Sequence, residues 1–413
     1  MGNPIIDKFI QENYYFDELR KEDKTIIDKT GLIYKLASKR GLFYIARPKN
    51  FPKTPILTTI ESLFKDGLKL FKGLKIENLG WNDKTYPVLH LQKFSGRIAK
   101  IQWLNQEYCK TFLQFKDEYN LDNLNLKGED CVEDLEEIIK ATDGEIVILI
   151  DRIDKHFESM IEISNDYQPM KYIFKRLLFV IQKYAHKIRF CLVTGTFRNT
   201  SLGIYEGPHP FTDLTFDEDY LTLFGFTDED LDTYFSKELA NAASVLEVSQ
   251  EELREKLRTH YGNYSFDLTG KVKVYDPMDV HYFLNEPSWN FVSYWSDGEY
   301  FDFISRYALF EIYIRLNKEI LKPLRVTYNI SKHEFLDVEE VLEAPLPLIL
   351  FFAGFYTIDH SDENSITIRK ATKTIENLLF PKFLEEEADK KKSIYEWLHR
   401  IGQRDRNALP FLR

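Results

Sequence analysis

Lys53 and Thr54 close the stretch "YIARPKNFPKT", Tyr44 to Thr54, which follows one apolar run and opens another. A lysine–threonine pair at a strand-to-helix junction suits a phosphate-cradling loop. Backbone N–H groups hold the phosphates, the lysine neutralises the β/γ oxygens, and the hydroxyl binds Mg²⁺. The full spacing, G-x-x-x-x-G-K-[ST], is not met, because Arg47 and Pro52 stand at the glycine positions. Roughly 100 residues later, "EIVILIDRIDKHF" reads as an apolar strand ending in Asp151, a carboxylate placed to hold Mg²⁺. Hydrolysing proteins of this kind usually carry Glu next, to orient the attacking water; here it is Arg152. "RFCLVTGTFRNT" supplies another strand ending in Thr194, followed by Arg198, both candidate sensors of the γ-phosphate or of the water.

The departures weaken that chemistry. Pro52 has no N–H to offer a phosphate and its φ is locked near −65°, whereas the loop glycine typically adopts a conformation open mainly to Gly. One lost charge-assisted hydrogen bond is worth roughly 1.5–3 kcal/mol. Arg152 cannot take a proton from water near neutral pH. A further expectation is that Lys53 and Arg152 neutralise Asp151 directly, filling the site with an internal ion pair.

Five apolar runs must position these groups: "LFYIA" (Leu42 to Ala46), "PVLHL" (Pro87 to Leu91), "IVILI" (Ile146 to Ile150), "RFCLVT" (Arg189 to Thr194) and "YLTLF" (Tyr220 to Phe224). Their lack of alternation fits strands buried on both faces, as in a parallel sheet. Between them, Ile56, Ile60, Leu63 and Phe64 share one helical face, as do Ile173, Leu177, Val180 and Ile181. Strand alternating with helix predicts an α/β domain over 1–215. A helical lid region follows over 216–300, with Thr227 as an N-cap and a capping box from Ser249 to Glu252. Over 301–413, helices and then a hairpin around "HSDENS" predict a winged-helix-like region with a charged tail helix.

The chain has 413 residues, enough for two or three domains, and 66 acids against 55 bases give a net charge of −11. That balance disfavours sequence-blind nucleic-acid binding, which depends on neutralising phosphates. Cys109, Cys131 and Cys191 offer neither a disulfide framework nor metal-ligand spacing, which suits a reducing, cytoplasmic setting. No secretory signal is visible, and Ile6 stands where a myristoylation motif needs Ser or Thr. The longest apolar run, Ala344 to Tyr356, is too short to cross a bilayer. The nine histidines show no metal-binding clustering, and Asp276-Pro277 lacks a following E-x-K strand of the kind a nuclease uses. Tyr261, Tyr264 and Tyr294 read as core rather than as stacking platforms.

Taken in order, these stretches resemble the predicted AAA-ATPase-like family, P-loop proteins often fused to a PD-(D/E)XK nuclease-like domain. "IIDKTGLIYKL" resembles the family's V-D-K-T-x-x-I, and "ARPKNFPKT" its R-P-R-R-F-G-K-S loop, so Arg47 is a family feature. "LIDRIDKHF" resembles L-I-D-E-Y-D-K-P, and "LVTGTFR" resembles T-G-V-S-R. "HYGNYSFDLTGKVKVYDP" resembles Y-D-G-Y-x-F…V-Y-N-P, and "FFAGFYTID" resembles Q-T-G-Y-L-T-I. The resemblance implies a P-loop parallel sheet of strand order 2-3-4-1-5, ATP held by Arg47, Lys53 and Thr54, and Mg²⁺ held by Asp151. With no E-x-K strand after Asp276-Pro277, the nuclease-like part of longer relatives is expected to be missing. With Pro52 and Arg152 in place, ATP and Mg²⁺ are expected to bind weakly or not at all. The expected function is a pseudo-ATPase serving as an interaction or regulatory module for a protein partner. The alternatives are a working ATPase with an atypical loop and a nucleic-acid-associated effector.

Overall fold

The computed structural model describes residues 15–22, 24, 26–91, 101–122, 124–154, 167–198, 200–285, 289–292, 326–337 and 344–375. Tyr294, residues 301–325 and the expected tail helix lie outside them.

Five strands form the central sheet: β1 (Gly41–Ala46), β2 (Val88–Leu91), β3 (Ile146–Ile150), β4 (Ile188–Gly195) and β5 (Thr212–Asp213), in the order β2-β3-β4-β1-β5. Every pairing is parallel, which explains the unalternated apolar runs. In β3 no residue is more than 1% exposed, because helices cover both faces. Each such Ile, Leu or Val contributes about 1.5–3 kcal/mol of burial.

The helices of this part are α1 (Phe16–Lys21), α2 (Thr30–Ala37), α3 (Thr54–Asp66), α4 (Ile101–Glu118), α5 (Cys131–Ala141) and α6 (Tyr167–Lys183). α3 starts directly after the Lys53 junction, takes Pro55 in its first turn, and packs on β2 and β3. α4, α5 and α6 pack in sequence.

The lid region contains α7 (Asp228–Val245), α8 (Gln250–Tyr261) and α9 (Pro277–Asn285) around a second core that includes Phe226, Leu231, Phe235, Tyr261 and Phe283. Thr227 and Ser249 both close reciprocal capping boxes, with Asp230 and Glu252. Beyond it, β6 (Thr327–Ser331), β7 (Tyr356–Ser361) and β8 (Ser365–Lys370) form an antiparallel sheet of order β6-β8-β7, with α10 (Lys332–Leu336) and α11 (Leu346–Phe352). The parallel 2-3-4-1-5 sheet, the helical lid and this winged-helix-like unit together make a P-loop NTPase fold.

One expected strand is misplaced. Tyr220 to Phe224 form no strand: Glu218–Tyr220 are a 3₁₀ turn, and the fifth strand is Thr212–Asp213. Leu223 and Phe224 are buried all the same, so the apolar run marks a core-facing loop. β6 carried no readable signal, because only Ile330 of its five residues is buried.

Candidate functional site

β1 runs into a loop, residues 47–53, that turns into α3, while β3 and β4 end alongside it. That topology brings Lys53, Thr54, Asp151 and Thr194 together. Thr54 Oγ1 donates a short hydrogen bond to Asp151 Oδ2. Thr194 Oγ1 lies 3.4 Å from Asp151 Oδ1 and accepts from the Arg152 amide at 2.9 Å. Asp151 is buried, and the Arg152 Nε stands 3.9 Å from its Oδ1. Arg152 has φ of 52°, a left-handed conformation that costs a non-glycine residue roughly 1–2 kcal/mol.

Lys53 does not spread toward Asp151 in the way the ion-pair expectation has it. Its Nζ donates to Pro48 O at 2.9 Å and to Phe51 O at 3.4 Å, folding the lysine onto its own loop. Lys53 is 2% exposed, and those carbonyls offset part of its desolvation. Among the described residues, the ion pair recorded for Asp151 is with Arg152, at 3.9 Å.

Part of the loop's backbone is closed to a phosphate. Pro48, Pro52 and Pro55 carry no N–H, the Phe51 amide donates to Pro48 O, and the Arg47 amide donates to Gly195 O. Arg47 itself is 1% exposed. Its Nη1 donates to Ala46 O and Thr215 O, both at 2.7 Å, and its guanidinium lies 4.2 Å from the Phe266 ring centre. Burial lowers its pKa to about 9. These contacts make Arg47 a clamp between the end of β1, the 215–220 turn and the lid region. Arg198 is held similarly, by Asp213 at 2.5 Å and over the Tyr205 ring, where Asp213 also takes the Tyr205 hydroxyl.

Three groups to which sequence reasoning gave no role in the site shape it. Asp154 is buried and accepts the Thr196 and Phe197 amides at 2.7 and 2.8 Å, fixing the turn that follows Thr194. Burial raises its pKa, against those two amides and Lys53. The three-residue step from Asp151 was the available signal. Asn50 donates to Asp276, which also caps α9 through the Met278 and Asp279 amides, and Phe51 sits edge-on to Tyr264 and Phe266. No local pattern reveals a partner 226 residues away. Lastly, the Asp28-Lys29-Thr30 stretch is a staple: Asp28 takes the Thr30 and Lys75 amides, and Lys29 Nζ pairs with Asp230 at 2.6 Å.

A cavity opens beside the loop, between α1, the 26–33 segment, the first turns of α3 and the 223–226 loop. Pro52 and Pro55 form part of its wall. Among the described residues, no helix is long and apolar enough to cross a membrane.

The strand order and the loop-to-helix junction define a P-loop architecture, and the chain resembles known proteins accordingly. Residues 13–205 match the AAA-ATPase-like family, described as predicted AAA-ATPase. An uncharacterized protein from the vnfD 5′ region of Azotobacter chroococcum mcd 1 is 24% identical over 267 residues, 64% of this chain and 49% of that protein. The chain thus spans about half the length of that curated relative. The Walker-type ATPase PABY2304 of Pyrococcus abyssi aligns over 90% of this chain and 98% of its own, at 11% identity and a TM-score of 0.40. The family match covers just under half of this chain, the part that holds most of the parallel sheet.

Proposed function

We propose that this P-loop protein is a pseudo-ATPase, a non-hydrolysing interaction or regulatory module that acts on a protein partner inside the cell. The observation that carries this reading is the state of the loop. Three imino acids and two committed amides lie within residues 47–55, and Lys53 is bound to loop carbonyls. Arg152 adds a cation where a water-orienting carboxylate is needed. A triphosphate would have to displace Lys53 from its carbonyls and do without donors at positions 48, 52 and 55.

The test is Mg-ATP titration by thermal shift, with phosphate release followed in parallel, on the native chain and on Pro52→Gly with Arg152→Glu. Stabilisation and turnover confined to the double variant support the reading. Turnover by the native chain that is lost in Asp151→Ala sinks it.

A second reading, an ATPase with an atypical loop, is favoured by one contact. The Thr54 hydroxyl and the Asp151 carboxylate already meet, so the pair that would hold Mg²⁺ fits a metal even though the phosphate side does not. In that reading Lys53 and Thr54 hold the nucleotide and Asp151 the metal, and Lys53→Met should abolish Mg-ATP stabilisation.

A further inference from the structure

Away from the loop, a second cleft lies where the lid region meets the winged-helix-like unit. Thr259 and Asn263, at the end of α8, form one wall. Residues 369–373, the end of β8 and the segment after it, form the other. We infer that this cleft binds a phosphate monoester dianion, at a site that shares no residue with the 47–55 loop and does not depend on the fate of Mg-ATP there. The cleft measures about 280 Å³, where one water needs about 10–15 Å³ in the same measure. It has room for a phosphate and part of its carrier.

Charge is the first argument. Arg369, Lys370 and Lys373 line the cleft and no Asp or Glu does, in a chain whose net charge is −11. Lys373 is exposed and has no ion pair among the described residues. Arg369 gives its Nε to Asp359 Oδ1 at 3.0 Å and its Nη1 to Lys370 O at 3.2 Å. Its Nη2 has no recorded acceptor among the described residues, so that end of the guanidinium can serve a ligand. Neighbouring groups register the excess of positive charge. Burial lowers the pKa of His260, and Lys373 and Lys256 push it the same way. Burial also lowers that of Lys273, with Arg369 adding to the effect and Asp359 and Asp267 opposing it. A bound dianion would relieve this crowding of cations.

The neutral groups of the lining add donors. Thr372 is 5% exposed, and its Oγ1 accepts from the Ile375 amide at 3.2 Å, which leaves its hydroxyl hydrogen for another acceptor. The Thr259 hydroxyl has no recorded partner among the described residues. Asn263 gives one side-chain hydrogen to Arg258 O at 3.0 Å and keeps a second. The walls are held together without a ligand: His260 Nδ1 lies 2.9 Å from Thr374 Oγ1, joining α8 to the segment after β8. Donors on two walls suit the three oxygens of a phosphate monoester better than the two of a planar carboxylate. A nucleic-acid backbone fits less well, because the β7–β8 hairpin that leads from the cleft carries Asp359, Asp362 and Glu363, which repel a run of phosphates.

The test is calorimetry and thermal shift on the full chain at matched ionic strength. The probes are inorganic phosphate, a phosphoserine peptide beside its unphosphorylated form, and a short DNA duplex. Inorganic phosphate or the phosphopeptide should bind with a dissociation constant of about 1 mM or tighter, and the unphosphorylated peptide should not bind. Lys373→Glu should weaken that binding about tenfold or more, and Thr259→Val about threefold, while the melting temperature without ligand stays that of the parent. Tighter binding of the phosphopeptide than of inorganic phosphate identifies a protein-borne group, and the reverse order a free one. Binding that survives Lys373→Glu but is lost in Lys53→Met, a duplex bound more tightly than either phosphate probe, or no phosphate binding at all would each overturn the inference. None of these outcomes touches ATP turnover, so the pseudo-ATPase reading stands or falls by its own titration.

Discussion

Thr54 and Asp151 lie 97 residues apart in sequence, yet the threonine hydroxyl donates directly to the carboxylate at the heart of the site. The contact joins the first turn of α3 to the end of β3, so the two halves of the motif are locked before any ligand arrives. Asp151 serves the fold through this bond, whatever the fate of its metal chemistry.

Asp151→Ala should therefore destabilise the protein. It takes the acceptor from the Thr54 hydroxyl, one of the two recorded acceptors from the Thr194 hydroxyl, and the carboxylate that stands 3.9 Å from Arg152 Nε. A loss of about 3 kcal/mol is expected, read as a lower urea midpoint with unchanged slope. A midpoint equal to that of the parent would show that the carboxylate has no structural role.

Arg152 combines a side-chain effect with a backbone effect, and two substitutions separate them. Arg152→Gly and Arg152→Ala both remove the guanidinium, but only Gly relaxes the positive φ. The glycine variant should be the more stable of the two by about 1 kcal/mol. Equal stabilities would mean that the left-handed conformation is not retained in the variants.

Gly354 is where the winged-helix-like region touches the phosphate loop. Its φ is 88°, and a Cβ there would lie 2.9 Å from Asn50 Oδ1 and 3.3 Å from Pro48 Cβ. Gly354→Ala should cost about 2 kcal/mol and should speed proteolysis in the 47–53 loop. A silent substitution would mean that the two regions separate readily in solution.

Asp154 predicts a pH dependence. Its folded pKa lies above the ordinary 3.8, chiefly through burial. Below that value both folded and unfolded chains hold the proton. As pH rises past it, the unfolded chain releases the proton first, so this group's contribution to stability falls until the folded carboxyl ionises too. Relative to Asp154→Asn, the parent should lose stability as pH climbs through the window just above 3.8. Parallel curves for the two proteins would exclude it.

The sheet was legible in the sequence because strands buried on both faces leave apolar runs that need no partner to be seen. β1 to β4 match those runs within a residue or two. Tyr220 to Phe224 misled for the same reason: a loop pressed into the core has the same composition as a buried strand. The site was half legible. Lys53, Thr54 and Asp151 stand where strand ends predicted them, and Thr54 meets Asp151. The inward fold of Lys53 onto Pro48 and Phe51 and the capture of Arg47 by Thr215 and Phe266 depend on distant backbone. Residue type and spacing cannot report such contacts.

Because β1 lies between β4 and β5 and pairs with neither β2 nor β3, its hydrogen-bonding edges wait for segments made far later. During synthesis β1 stays unpaired until residues 188–195 leave the ribosome, and its other edge waits for 212–213. Such long-range closure slows folding. A nascent chain stalled before that point would expose an aggregation-prone strand to its neighbours. The strand order thus leaves the central strand of this sheet with an open edge until the fifth strand is made.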